Sequence, residues 1–175
     1  DRTFDVGIAE QHAITSASGM AFAGLKPVVA IYSTFLNRGF DQLLMDAALH
    51  SAPITLVLDR SGITGEDGPS HHGVWDMSLA TIVPQCKLFS PRDENRLNEA
   101  LEQSLSFTSG PNIVRFNKGS IAPEIKAHER MGSFDLLHVS SSKDVLVIAI
   151  GAMAQVAIES IARINVGVTV VDPLW

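Results

Sequence analysis

Cysteine is almost missing from this sequence. Cys86 stands alone among 175 residues, which excludes an internal disulfide and a cysteine-built metal cluster and fits a reducing cytoplasm. Basic residues are also few: 13 Lys and Arg against 19 Asp and Glu leave a formal charge of −6. That balance argues against a surface that tracks a nucleic-acid backbone, although local arginines can still hold a small anion. No apolar run approaches the length of a membrane span, and no secretory leader is visible. Charged residues make up only 18%, too little for a disordered chain. Apolar residues are plentiful at 46%, enough for a core and for one domain with some surplus. The sequence opens on Asp1 instead of methionine and stops just past a strand-like run, so a fragment of a longer protein is expected.

Apolar runs of strand length recur at residues 4–8, 28–32, 54–59, 86–89, 112–116, 145–150 and 166–171. Helical spacing fills the intervals. Ala9, Ala13, Ala17 and Ala21 form a stripe of small side chains that would let another backbone come close. Phe40, Leu43, Leu44, Ala47 and Ala48 form a broader stripe. Ser90, Pro91 and Asp93 read as the cap and first turn of a helix whose buried face carries Leu97, Leu101 and Leu105. Strands alternating with helices predict an α/β fold, a parallel sheet flanked by helices. Residues 118–143 are rich in Ser, Gly, Pro and charge and read as a linker, with a short strand possible at 134–139. A single βαβ unit follows. The expected division is a domain over 1–128, then a linker and the truncated start of a second domain over 129–175.

In open parallel sheets, ligands bind beyond the carboxyl ends of the strands. The unusual polar residues gather there. DVGIAEQHA brings Glu10 to the exit of the first apolar run, where a buried carboxylate needs a partner. Tyr32, Phe35 and Arg38 follow the second run, Asp59 and Arg60 close the third, and Arg115 ends the fifth. The loop SGITGEDGPSHHGVW sets Glu66, Asp67, His71 and His72 among glycines that let a backbone approach a ligand closely. Acid and imidazole together can accept, donate and orient protons near neutral pH. A solvated loop that merely contains histidines is the alternative. A zinc site is a third reading, which adjacent histidines without cysteine match poorly. The arginines suit phosphate oxygens, or are simply surface charges.

DVGIAEQHA, YSTFLNRGFDQ and DRSGITGEDGPSHHGVWD, in this order and spacing, resemble the transketolase-like thiamine-diphosphate enzymes. Within that family the DRSG and HHGVWD segments look like the branch that joins pyruvate to D-glyceraldehyde 3-phosphate with loss of carbon dioxide, feeding isoprenoid, thiamine and pyridoxal phosphate synthesis. The alternatives are a transketolase or pyruvate dehydrogenase beta subunit, or a non-catalytic binding or dimerisation module. The resemblance implies the thiamine-diphosphate-binding fold and its pyrimidine-binding domain. It implies a cytoplasmic homodimer. Glu10 would donate a proton to the cofactor's aminopyrimidine ring, Phe35 would pack on that ring, and Arg38 would stand on the same cofactor-side turn. Asp67 and His71 would hold and protonate substrate oxygens. Tyr32, Arg60 and Arg115 would hold the aldehyde's phosphate, with Lys118 where the family has a second arginine. His72 falls at a variable position. The family holds Mg²⁺ and the diphosphate through a GDG-type motif in a separate N-terminal domain, so no metal ligand is expected in this sequence.

Overall fold

The computed structural model describes residues 2–175. The chain divides into two compact units, Asp1–Leu88 with Glu102–Lys118, and Phe89–Leu101 with Gly119–Trp175.

The first unit starts with α1 (Glu10–Phe22), followed by β1 (Val28–Tyr32), a 3₁₀ turn over Ser33–Phe35, α2 (Leu36–Gln42) and a wide helical turn over Leu43–Ala48. Next come β2 (Thr55–Ser61), α3 (Asp76–Ile82), β3 (Lys87–Phe89), α4 (Glu94–Ser104), which runs across the division, and β4 (Asn112–Asn117). The sheet order is β1-β2-β4-β3, with β1–β2 and β2–β4 parallel. Flanked on both edges, β2 reads as a nearly continuous apolar run, and Leu56 and Leu58 are wholly buried, as expected for the interior of a parallel sheet. Ile14, Leu36, Leu43, Ala47, Ile54 and Ile113 complete the core. The small-residue stripe is buried at Ala13, Ala17 and Ala21. A Cβ on Gly39 of α2 would lie 3.3 Å from the Glu10 carbonyl oxygen and 2.6 Å from Ile14 Cδ1, so only glycine lets α2 approach the start of α1 this closely.

Two expectations need correction. Residues 4–8 form no strand. Asp5 Oδ1 accepts from the Gly7 amide at 2.8 Å, and Gly7 turns at φ +66, which ends any extended run. Phe4 and Ile8 are exposed. Glu10 therefore begins a helix instead of leaving a strand. In the second case, the α4 cap is Asp93, whose Oδ1 accepts from the Arg96 amide at 3.0 Å, the geometry of a side-chain N-cap. On α4 Ala100 and Ser104 are buried and Leu97 and Leu101 half-buried, while Leu105 lies past its end and is exposed.

The second unit contains β5 (Glu129–Met131), β6 (Phe134–Val139), β7 (Val145–Ile148), α5 (Met153–Ile161) and β8 (Val168–Pro173). Its order is β5-β6-β8-β7. The βαβ unit expected from the sequence is present as β7-α5-β8, with β7 and β8 parallel. The stretch expected as a linker contains the antiparallel β5–β6 hairpin. Beneath it lies a charge cluster that the sequence did not disclose. Arg92 contacts Asp172 at 2.6 Å, Asp135 at 2.8 Å and Asp93 at 3.3 Å, all four residues being buried.

Candidate functional site

The site is built where β1, β2 and β4 of the first unit end. Tyr32 is the last residue of β1. The chain then winds into the 3₁₀ turn, whose Thr34 Oγ1 donates to the Ser70 carbonyl at 3.0 Å. Phe35, at the end of that turn, stacks on Tyr32 with centroids 5.8 Å apart and planes at 16°. The His71 ring meets Phe35 edge-on at 5.6 Å, and the Arg38 guanidinium lies 5.6 Å from the Phe35 centroid.

At the end of β2 the ladder slips. Leu58 pairs with Arg115 and Ser61 with Asn117, which leaves one extra residue on β2. Such a bulge re-aims a side chain. Arg60, with φ +56, takes the strained conformation and turns its guanidinium onto the Tyr32 ring, 4.0 Å from the centroid. Arg60 Nη1 also donates to Asp67 Oδ2 at 3.0 Å, and Lys118 Nζ donates to Asp67 Oδ1 at 2.9 Å. The bond from Lys118 holds the Asp67 carboxyl below the usual range, with Arg60 and His71 adding their charge. Burial pushes the Asp59 carboxyl up, against the charge of Arg60.

The glycine-rich loop is closed at its base by reciprocal amide–carbonyl bonds between Gly62 and Gly73, 2.7 and 2.9 Å. A Cβ on Gly73 would lie 2.7 Å from the Arg60 carbonyl and collide with Ser33, so this position requires glycine. Within the loop His72 Nδ1 faces Thr64, accepting from its amide at 3.2 Å and lying 2.9 Å from Oγ1. His72 thus braces the loop, while His71 faces the aromatic pair.

Glu10 stands at the first turn of α1. It is buried, and its Oε2 has no hydrogen-bond partner. A buried carboxylate oxygen without a donor is costly. It fits a ligand that brings a hydrogen-bonding ring nitrogen, which makes the residues present compatible with an aminopyrimidine.

Arg115 is not brought into the cluster. Its Nε donates to Asp76 Oδ2 at 2.6 Å and its Nη2 to Asp76 Oδ1 at 3.4 Å. Both residues are buried. The physical reason is strand alternation: Arg115, opposite Leu58, lies one register step inside the bulge, and Lys118 is the cation that reaches Asp67. Asp76, missed from the sequence, stands at the end of the quoted loop motif as an acid opening a helix. Among the described residues no group of three or more His, Cys, Asp or Glu side chains could hold a metal ion, and no helix is long and apolar enough to cross a membrane.

Residues 1–123 match the model of the transketolase pyrimidine-binding domain. Over all of its length the chain is 55% identical to 1-deoxy-D-xylulose-5-phosphate synthase of Clavibacter sepedonicus and 54% identical to that of Mycobacterium ulcerans, and it spans 28% of each of these curated relatives. A transketolase structure from Campylobacter jejuni superposes on 98% of this chain and 28% of its own with a TM-score of 0.89 at 20% identity. The inactive β4 tetramer of a split-gene transketolase covers 98% of this chain and 56% of its own with a TM-score of 0.80 at 24% identity. At these identities the two structures are likenesses of fold.

Proposed function

The chain belongs to the transketolase pyrimidine-binding domain family, and from that membership we propose that it holds the aminopyrimidine end of thiamine diphosphate in a 1-deoxy-D-xylulose-5-phosphate synthase. The full-length protein would join pyruvate to D-glyceraldehyde 3-phosphate with loss of carbon dioxide. It would act as a cytoplasmic homodimer, with Mg²⁺ and the diphosphate held outside this chain. Relatives at 52–55% identity that carry this name favour the reading over a transketolase, a pyruvate dehydrogenase beta subunit or a non-catalytic module. The observation that carries it is the buried, unpartnered Glu10 Oε2.

When bound, the cofactor supplies a carbon nucleophile and takes up the electron pair left by decarboxylation. The residues of this chain would bind, orient and move protons around it. Glu10 would hold a proton at Oε2 and share it with the pyrimidine ring. Phe35 would pack on that ring, backed by Tyr32 and Arg38. His71, held by its 3.0 Å contact with Ser70 Oγ, would pass a proton to or from a substrate oxygen. Asp67 would hold a substrate hydroxyl. Arg60 and Lys118, with Tyr32, would take the aldehyde's phosphate, because they flank a half-buried carboxylate that an incoming anion can displace. Arg115, assigned to that phosphate by the resemblance, would instead support it from beneath.

The test is product formation by the full-length protein from pyruvate and D-glyceraldehyde 3-phosphate, compared with a ketose phosphate donor and aldose acceptor. Deoxyxylulose phosphate from the first pair supports the reading. Ketol transfer alone points to a transketolase, and neither activity points to a non-catalytic module.

A further inference from the structure

Asp76 is wholly buried and its two carboxylate oxygens tie three elements together. Oδ2 takes Arg115 Nε at 2.6 Å and lies 3.2 Å from Ser61 Oγ. Oδ1 takes the Met77 amide at 2.9 Å and Arg115 Nη2 at 3.4 Å. Ser61 ends β2 immediately after Arg60. Arg115 lies on β4 three residues before Lys118. Asp76 itself opens α3.

The tie falls where the β2–β4 ladder is broken by the bulge between Leu58 and Ser61. Past the bulge the ladder resumes at the Ser61–Asn117 pair and both strands end there, so a single backbone pair sets the spacing of the strand ends that deliver Arg60 and Lys118. On the solvent side Asp67 bridges the same two cations, but a bridge that an incoming anion must displace cannot also fix their separation. On the buried side Asp76 can, since no solvent or ligand competes for it.

We infer that Asp76 is a positioning residue that acts through Arg115 and Ser61 to set the Arg60–Lys118 separation for a phosphate-bearing substrate. The inference rests on reading this face as the phosphate end of the site. Its chemistry is that of a phosphomonoester, not of a carboxylate such as pyruvate, so loss of Asp76 should be felt by one substrate only.

The experiment uses the full-length protein with Asp76→Asn, which keeps the side-chain shape and removes the carboxylate charge that faces the Arg115 guanidinium. A second variant is the apolar pair Asp76→Leu with Arg115→Met, because replacing both partners of a buried pair commonly preserves stability. The expected result for Asp76→Asn is a KM for D-glyceraldehyde 3-phosphate raised about tenfold or more, with the KM for pyruvate unchanged. In the apolar pair the thermal midpoint should return to near that of the unaltered protein while the KM for the phosphate substrate stays raised. Equal rises in both KM values, or an apolar pair with native affinity for the phosphate substrate, would overturn the inference. If the unaltered protein turns over neither substrate, the proposed function fails. The inference is then decided by calorimetric titration with inorganic phosphate. Weaker binding by Asp76→Asn than by the unaltered protein supports it, and equal or absent binding overturns it.

Discussion

The Arg60 guanidinium lies 4.0 Å from the centroid of the Tyr32 ring. It gets there through a backbone conformation, φ +56, that an L-residue adopts at a cost of about 1–2 kcal/mol. The strain and the placement are one feature, because a regular strand would send this side chain elsewhere. Arg60→Gly should relieve the strain and hold or raise the thermal midpoint of the protein. The same change should weaken binding of a phosphate-bearing substrate by about tenfold or more, the worth of a charge-assisted bond. Thermal denaturation beside substrate kinetics checks both halves. A drop in midpoint with unchanged kinetics would show that Arg60 serves the fold alone.

Gly73 lies beneath the bulge. An added methyl would meet the Arg60 carbonyl at 2.7 Å and collide with Ser33. Gly73→Ala should therefore destabilise the protein by about 1–3 kcal/mol, the usual cost of overpacking. Its amide exchange should rise at Gly62 and Gly73, whose mutual bonds close the loop. Denaturant midpoints and hydrogen exchange of these two amides provide the check.

How much of this was legible in the sequence follows from what local pattern can encode. The strand at 28–32 was legible to the residue, and those of β2 and β4 to within two, because apolar runs flanked by turn residues specify buried parallel strands. The run at 4–8 is apolar only at alternate positions and failed, since its Asp5 and Gly7 form a turn that denies the segment a neighbouring strand. Tyr32, Phe35, Arg60, Asp67 and His71 were legible as a group because they all follow strand ends. The pairing of Arg115 with Asp76, 39 residues apart, was not, nor was the burial of Arg92 among three aspartates. Which charge a guanidinium meets is decided by packing between distant segments, and the alternation that turned Arg115 inward was visible only once the bulge was located.

Lys118 offers a charge without a fork. Replacing it by arginine would present two parallel donors to a phosphate. Lys118→Arg should lower the KM for the phosphate-bearing substrate by a few-fold and leave that for pyruvate in place. Steady-state kinetics with each substrate varied in turn would show this, and equal changes in both would argue against the assignment of Lys118 to the phosphate.

In the second unit, burial pushes the Asp172 carboxyl up to about 6 from 3.8, with Arg92 opposing and the charges of Asp135 and Asp93 adding. An acid raised in the folded state binds its proton more tightly there than when unfolded. Its contribution to stability is complete below the unfolded value and is lost as pH rises through the folded one. Asp172→Asn cannot titrate in this window. Relative to that variant, the unaltered protein should lose stability between about pH 4 and pH 7. Urea midpoints of both proteins across that range test the sign, and parallel curves would contradict it.

In the proposed function the unpartnered Glu10 Oε2 would meet the pyrimidine ring of thiamine diphosphate. The most direct measurement is hydrogen–deuterium exchange at the cofactor's reactive carbon, followed on full-length Glu10→Ala with cofactor shown to be bound. Exchange slowed by roughly 10²–10⁴-fold, the usual worth of a positioned proton-transfer group, is the predicted result. Exchange at the unaltered protein's rate, with the cofactor bound, would contradict this role of Glu10.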